Sequence, residues 1–301
     1  MSAVEDSAPL ATTPRWRRIA TDFAESRLAL AALVVVFLVL GAAFLAPWIS
    51  PQNPYDLASL DIMDGRLPPG AESFTGMTYW LGTDSQGRDM LSAILHGIRT
   101  SLVVAVSAGV LALLSGMVLG LVAAYFGGRL DALIMRVVDL MLGFPAILIA
   151  LIVLVILGKG TEKVILALIL VQWAYFARAA RSAALVERSR EYVEAARGLG
   201  ASHGRILFRH ILPNCLAPII VVGTVQVANA ISLEATLSFL GIGLPITEPS
   251  LGLLIANGFK YLLSGYYWIS LFPGFALVLA VVSINLVGDQ LREVLNPRTL
   301  R

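Results

Sequence analysis

Between residues 187 and 209 the chain carries Glu187, Glu191 and Glu194, then Arg197, Arg205 and Arg209, in the middle of an otherwise apolar second half. Gly198 and Gly200 interrupt this stretch and Pro213 closes it. That punctuation predicts a short amphipathic helix ending near Arg197, a glycine-permitted bend, and a second helix through about Leu212. Such a segment suits contact with another protein, with Leu207 and Phe208 entering a partner groove while the charges meet its rim. A second ionisable group, Glu234, follows an uncharged run at or just beyond membrane depth. A charge at the centre of a span costs about 2.5–3.5 kcal/mol on insertion scales, so such a group faces protein or water. Glu234, with Asn229 and Ser232 on the same run, lines a pathway or gate on one reading. On the other it is a carboxylate at the outer interface, paired with a nearby donor.

The chemistry of a self-sufficient enzyme is missing. No G-x-x-x-x-G-K-[ST] loop occurs, and Gly158-Lys159-Gly160 cradles no phosphate. His96, His203 and His210 are far apart, and no nucleophile elbow or HExxH motif is present. Cys215 is the only cysteine, which excludes an intrachain disulfide and a cysteine-based metal cluster. The chain is expected to be no enzyme and to hold no metal or cofactor. Its net charge of +2 gives no argument for nucleic acid.

The elements that position these residues are read from the apolar runs. Hydrophobic residues make up 57% of the 301-residue chain and charged residues 14%, with a mean hydropathy of +0.81. A soluble domain carries about 25% charged residues, so this composition points to a bilayer. Six runs approach the ~20 apolar residues that a span needs: 28–46, 101–126, 140–158, 161–177, 212–233 and 261–288. The fourth is the shortest, with Lys163 and Arg178 placed to snorkel at its two ends. The first run is too long, and its preceding segment too long, for a cleaved signal peptide, so it is expected to be an anchor. Residues 1 to about 14 are expected to be disordered.

Orientation follows the placement of Lys and Arg. With the N-terminus inside, sixteen fall on inner segments, among them Arg15, Arg17, Arg18, Arg129, Arg136, Arg181, Arg188, Arg292, Arg298 and Arg301, against six outside. The expected division is a cytoplasmic tail over 1–27, a first helix over 28–46 and an extracytoplasmic loop over 47–100. A transmembrane core follows over 101–290 with an inner loop at 178–213, and then a cytoplasmic tail over 291–301.

Several boxes resemble one family in order. Glu194-Ala195-Ala196, three residues, Gly200, and then Leu212-Pro213 look like the EAA signature of ABC-importer permeases, and His210-Ile211-Leu212-Pro213-Asn214 resembles the peptide-importer branch. The run from Leu81-Gly82-Thr83-Asp84 through Gly87-Arg88-Asp89 to Leu91-Ser92 is similar to a box of the dipeptide and oligopeptide permeases. Further boxes lie at Arg136–Asp139 with Phe144-Pro145, at Ser232–Gly243, and from Phe272 to Arg298.

The resemblance implies an all-α, polytopic membrane protein with six transmembrane helices and the type I ABC importer permease fold. It implies a coupling element built from Glu194, Ala195, Ala196, Gly200, Arg205, Leu207, Phe208, Leu212 and Pro213. Asp84, Arg88 and Asp89 would lie where a binding protein docks; from the residues themselves, Asp84 is a candidate side-chain cap and Asp89 a favourable charge for the next helix, while Arg88 between two acids reads as a structural ion pair. Implied partners are a homologous second permease, two ATPase subunits that hold the ATP and magnesium, an extracytoplasmic solute-binding protein and the lipid bilayer of the cytoplasmic membrane. Dipeptides, oligopeptides, nickel chelates and glutathione all suit the resemblance. Two rival classes are an ion-coupled secondary transporter, which should show interrupted helices in related halves, and a membrane-embedded enzyme, which would need convergent polar groups within the spans.

Overall fold

The computed structural model describes residues 15–56, 60–73 and 76–295. The expected disordered start, and Arg298 and Arg301 of the tail, lie outside the described residues. Where the N-terminal tail was expected, Arg15–Glu25 is helix α1. Helix α2 (Arg27–Ile49) is capped by Ser26, whose hydroxyl accepts from the Ala29 N–H, and it continues through Pro47 before stopping at Ser50. The following loop therefore spans 50–89, shorter than the expected 47–100. Within it, strands β1 (Ala71–Glu72) and β2 (Thr78–Tyr79) pair antiparallel, with Ala71 opposite Tyr79.

Helix α3 (Met90–Phe126) starts eleven residues before the charge-free run, because Asp89 accepts hydrogen bonds from the Ser92 N–H and hydroxyl and so nucleates it early. The expected span 140–158 is not one helix. It divides into α4 (Gly128–Gly143) and α5 (Ala146–Leu157), bent by 92° at Phe144-Pro145. Pro145 has no N–H to continue the ladder and drives Phe144 into extended backbone, φ −97° and ψ 145°.

Helix α6 (Thr161–Arg188) runs past the expected end at Ala177, since Arg178 and Arg181 find Asp139 and Asp131 of α4. Both Arg181 bonds to Asp131 are short, Nε at 2.5 Å and Nη2 at 2.6 Å. Helices α7 (Glu191–Gly198) and α8 (His203–Arg205) form the next loop, and α9 (Leu212–Phe239) follows. Helix α10 (Leu251–Phe259), nine residues capped by Ser250, is too short to span. Helix α11 begins at Trp268 rather than Tyr261 and reaches Val294.

Among the described residues five helices are thus long and apolar enough to cross a membrane, and the bent α4–α5 pair makes the sixth crossing if counted as one. The packing centre is the seam between α3 and α6. A Cβ on Gly116 would meet the Trp173 carbonyl oxygen at 2.3 Å, and one on Gly120 the Ala177 carbonyl oxygen at 2.3 Å. Small residues four apart let two helices touch along their backbones.

Candidate coupling and translocation site

The loop joining α6 to α9 is a helix, a sharp elbow and a continuous re-entry into α9. Helix α7 ends with the Ala201 N–H bonding the Ala196 carbonyl and the Gly200 N–H bonding the Arg197 carbonyl, with Gly200 at φ 74°. This is the double closure of a glycine-terminated helix. A Cβ at Gly200 would meet open space, so it is the left-handed backbone, not a clash, that requires glycine.

The second limb is not a separate helix closed by Pro213. After α8 it becomes a π-helical turn, Ile206–Ile211, and passes directly into α9 with Pro213 in the first turn. Widening there suits a proline that cannot donate. The Asn214 amide donates to the His210 carbonyl at 2.8 Å.

Among the predicted contact residues Glu194, Ala195, Gly200, Arg205, Phe208 and Pro213 are exposed, and Leu212 is half-buried. Ala196 and Leu207 are buried, packed with Val193, Ile206, Ile211 and Cys215. Leu207 therefore anchors the loop inward and is not presented to a partner. The apolar side chain at the tip is Leu199, 88% exposed, which sequence reasoning missed. Its only signal was its place between Gly198 and Gly200. Tyr192, on α7, donates to Glu187 Oε2 at 2.6 Å, and burial followed by this bond pushes its phenol up to about 12.

Two cavities of about 920 and 420 Å³ share Tyr175, Gln226 and Asn229 and follow the α6–α9 face. Ser232, Thr236 and Gln172 line the smaller one, while Glu187, Arg190, Asn214 and Arg292 stand around the larger. Asn229, Ser232 and Thr236 are exposed on α9. Behind them the buried Gln172 amide donates to the Gln226 carbonyl at 3.0 Å, and its own side-chain oxygen has no partner. Gln172, Tyr175 and Gln226 were not singled out from the sequence, although each interrupts an apolar run.

Glu234 lines neither cavity. It is fully buried, accepting from Ser101 Oγ on α3 at 2.7 Å and from Ser238 Oγ at 2.7 Å, with Ser250 at the start of α10 also bonded to it. One carboxylate thereby joins three helices.

On the far side of α3, Asp84 Oδ1 accepts from the N–H groups of Gln86 and Arg88, and Asp84 Oδ2 lies 3.1 Å from Arg88 Nε. Asp84 holds a turn, and the helix cap is Asp89 instead. Asp84, Arg88 and Asp89 are all within 1% of full burial. The same turn receives Trp268 Nε1 from α11 on the Thr83 carbonyl at 3.1 Å. Nearby, buried Asp64 accepts from Ser73 Oγ at 2.5 Å and Tyr79 OH at 2.8 Å. Among the described residues no group of three or more His, Cys, Asp or Glu side chains could hold a metal.

Residues 116–301 match the family model described as the binding-protein-dependent transport system inner membrane component, and residues 14–69 match the N-terminal transmembrane domain of oligopeptide transport permease C. The chain belongs to this family of ABC-transporter permeases, in its oligopeptide and dipeptide permease C branch. The di/tripeptide transport system permease protein DppC of Pseudomonas aeruginosa is 38% identical to this permease over 278 residues, 92% of this chain and 90% of that one. The dipeptide transport system permease protein DppC of Alkalihalophilus pseudofirmus is 36% identical over 283 residues, 94% and 90% of the two chains. A Brucella suis protein provisionally named a peptide transport system permease is 44% identical over 266 residues, 88% and 86% of the two.

An inward-facing structure of the MetNI methionine ABC transporter matches with a TM-score of 0.56 at 22% identity, covering 68% of this permease and 97% of that chain, which shows the shared fold. The permease is thus a multi-pass inner-membrane transport subunit and not a catalytic one, and membership of a binding-protein-dependent system implies ATPase and binding-protein partners.

Proposed function

We propose that this permease is one of two homologous permease subunits of a peptide importer, resting on two ATPase subunits and receiving its cargo from an extracytoplasmic solute-binding protein. Both termini and the α6–α9 loop face the cytoplasm, in keeping with the excess of arginine on those segments. The observation that carries the substrate reading is the strip of exposed neutral amides and hydroxyls, Asn214, Asn229, Ser232 and Thr236, along α9. A peptide offers N–H and C=O groups at every residue. Uncharged partners of this kind exchange hydrogen bonds with such a backbone without trapping a charged side chain. The second permease closes the open side of the groove, and volumes of this order suit a small peptide.

ATP-driven closure of the ATPases moves the two inner loops, with Leu199 and Phe208 as the apolar contacts and Glu194, Arg205 and Arg209 at the rim. The helices then pass from outward- to inward-open. Asp84, Arg88 and Asp89, being buried, shape the docking face for the binding protein rather than touch it. ATP and magnesium reside on the ATPase subunits.

The test is uptake by the complete complex in proteoliposomes. Labelled di- or tripeptide should accumulate only with internal ATP and external binding protein. Accumulation driven by an ion gradient without ATP would move the protein to secondary transport, and competition by nickel chelates or glutathione alone would change the substrate. A cysteine introduced near Gly70 should react with an impermeant thiol reagent from outside, and one introduced near Ser202 only after permeabilisation. The reverse pattern would overturn the orientation.

A further inference from the structure

The inner end of α3 makes a set of contacts that the transport reading leaves unused. The helix stops at Phe126 with Gly127 as its cap, and Tyr125 on its last turn is 8% exposed. The Tyr125 hydroxyl and His203 Nδ1 are 2.7 Å apart in a hydrogen bond, with the two rings edge-on at 5.5 Å. The Arg197 guanidinium stands over the Tyr125 ring, 5.3 Å from its centroid. Arg188 Nη1 donates to the Ala124 carbonyl at 2.6 Å and reaches the Tyr125 carbonyl at 3.4 Å, satisfying acceptors that a helix end leaves open.

These partners are not neighbours in the chain. Arg188 ends α6, Arg197 precedes the elbow and His203 follows it, so contacts at one turn of α3 hold both limbs of the loop. The elbow between them, Leu199-Gly200, stays free. On its other side Tyr125 is continuous with a rigid body: Met117, Leu121 and Ala124 pack with Phe176, Ala180 and Ala184 of α6, and the Gly116 and Gly120 seam locks the two helices. Helix α3 carries 37 residues, about 55 Å at 1.5 Å per residue. Its other end is the Asp89 cap beside the buried Asp84–Arg88 turn.

We propose that Tyr125 is a positioning residue for coupling: by binding His203 and Arg197 on the two limbs of the loop, it is the joint through which displacement of the elbow is delivered to α3. This rests on the proposed docking of the loop on an ATPase. Packing alone would need only the ring of Tyr125, whereas transmission needs the hydroxyl bond across the loop, and the two are separable.

The experiment uses the complete importer in proteoliposomes and reads peptide taken up per ATP hydrolysed, alongside complex recovery and melting temperature. Tyr125→Phe keeps the ring and removes the hydroxyl, and His203→Ala removes the partner from an exposed position. Each should lower the uptake-to-hydrolysis ratio by about fivefold or more, the low end of ordinary coupling energies, with recovery and melting unchanged. The double variant should be no worse than either single one, as expected for partners in one bond. Unchanged ratios in both, or losses that add in the double variant, overturn the proposal. If Tyr125→Phe does not assemble, the ratio for His203→Ala alone decides. Leu199→Glu separates the two levels. If it uncouples while Tyr125→Phe and His203→Ala do not, the joint is wrong and the docking stands. If it leaves stimulated hydrolysis and uptake intact, the docking reading itself falls.

Discussion

Gly116 on α3 and Trp173 on α6 are in backbone contact: a Cβ on the glycine would lie 2.3 Å from the Trp173 carbonyl oxygen and 2.7 Å from the Phe176 Cβ. Gly120 repeats the contact one turn later, against Ala177. The seam is therefore set by the absence of side chains.

Enlarging either position should force the helices apart. Gly116→Leu or Gly120→Val is expected to cost at least the ~1–3 kcal/mol typical of overpacking, seen as poor recovery and a lower melting temperature in detergent. Gly109→Ala is the control, because its Cβ would meet only Val227 Cγ2 at 3.7 Å. That variant should melt normally or slightly higher, and equal loss in all three would remove the seam from the account.

Glu234 should behave as a tie between helices and not as a pathway group. Glu234→Ala leaves the buried hydroxyls of Ser101, Ser238 and Ser250 without their acceptor, at a cost of about 1–3 kcal/mol for an unsatisfied buried group, and should reduce assembly. Glu234→Gln keeps an acceptor oxygen and should assemble and transport close to normally. Asn229→Leu and Ser232→Leu should do the opposite, assembling normally while uptake falls. Impaired uptake by a well-assembled Glu234→Gln complex would return the residue to the pathway.

At the elbow, a β-branched residue in the left-handed backbone of Gly200 costs about 1–2 kcal/mol, and with open space around the Cβ there is no further steric term. Gly200→Asn, which tolerates that backbone, should retain uptake. Gly200→Val and Glu194→Lys should depress binding-protein-stimulated hydrolysis and uptake together. Equal activity of all three in reconstituted complexes would remove the loop from coupling.

Tyr79 makes the loop after α2 sensitive to alkali. Burial, followed by its bond to Asp64, pushes its phenol up to about 12 from 10.0. The folded protein keeps this proton where the unfolded chain has lost it. The stabilisation is full below pH 10 and is lost as pH rises towards 12. Melting temperatures between pH 8 and 11 should fall at the alkaline end, and Tyr79→Phe should flatten that part of the curve. An unaltered slope would show that other groups govern it.

Much of the architecture was legible because a bilayer imposes one rule, uncharged length, on every span, and each long helix contains or overlaps one of the predicted runs. Helix ends were less legible. The charges that seemed to end spans, Arg178 and Arg181, are neutralised by Asp139 and Asp131, and a linear reading has no access to partners 39 and 50 residues away. The break at Phe144-Pro145 has a local steric signal in Pro145, which the single span expected over 140–158 did not use, and the 92° bend is seen only in the structure.

The sequence by itself determined the membrane class, the family, the elbow at Gly200 and the lack of a phosphate-binding loop, since composition, motif spacing and glycine chemistry are local. Tertiary structure decided which way each side chain faces. It turned Leu207 inward and left Leu199 at the tip, and it enclosed Glu234 among serines from α3, α9 and α10 while leaving Asn229, five residues earlier on the same helix, in the groove. The reason is geometric: the periodicity of a helix that is apolar on nearly every side does not distinguish lipid, a neighbouring helix and a cavity, and only the packing of the other helices assigns them.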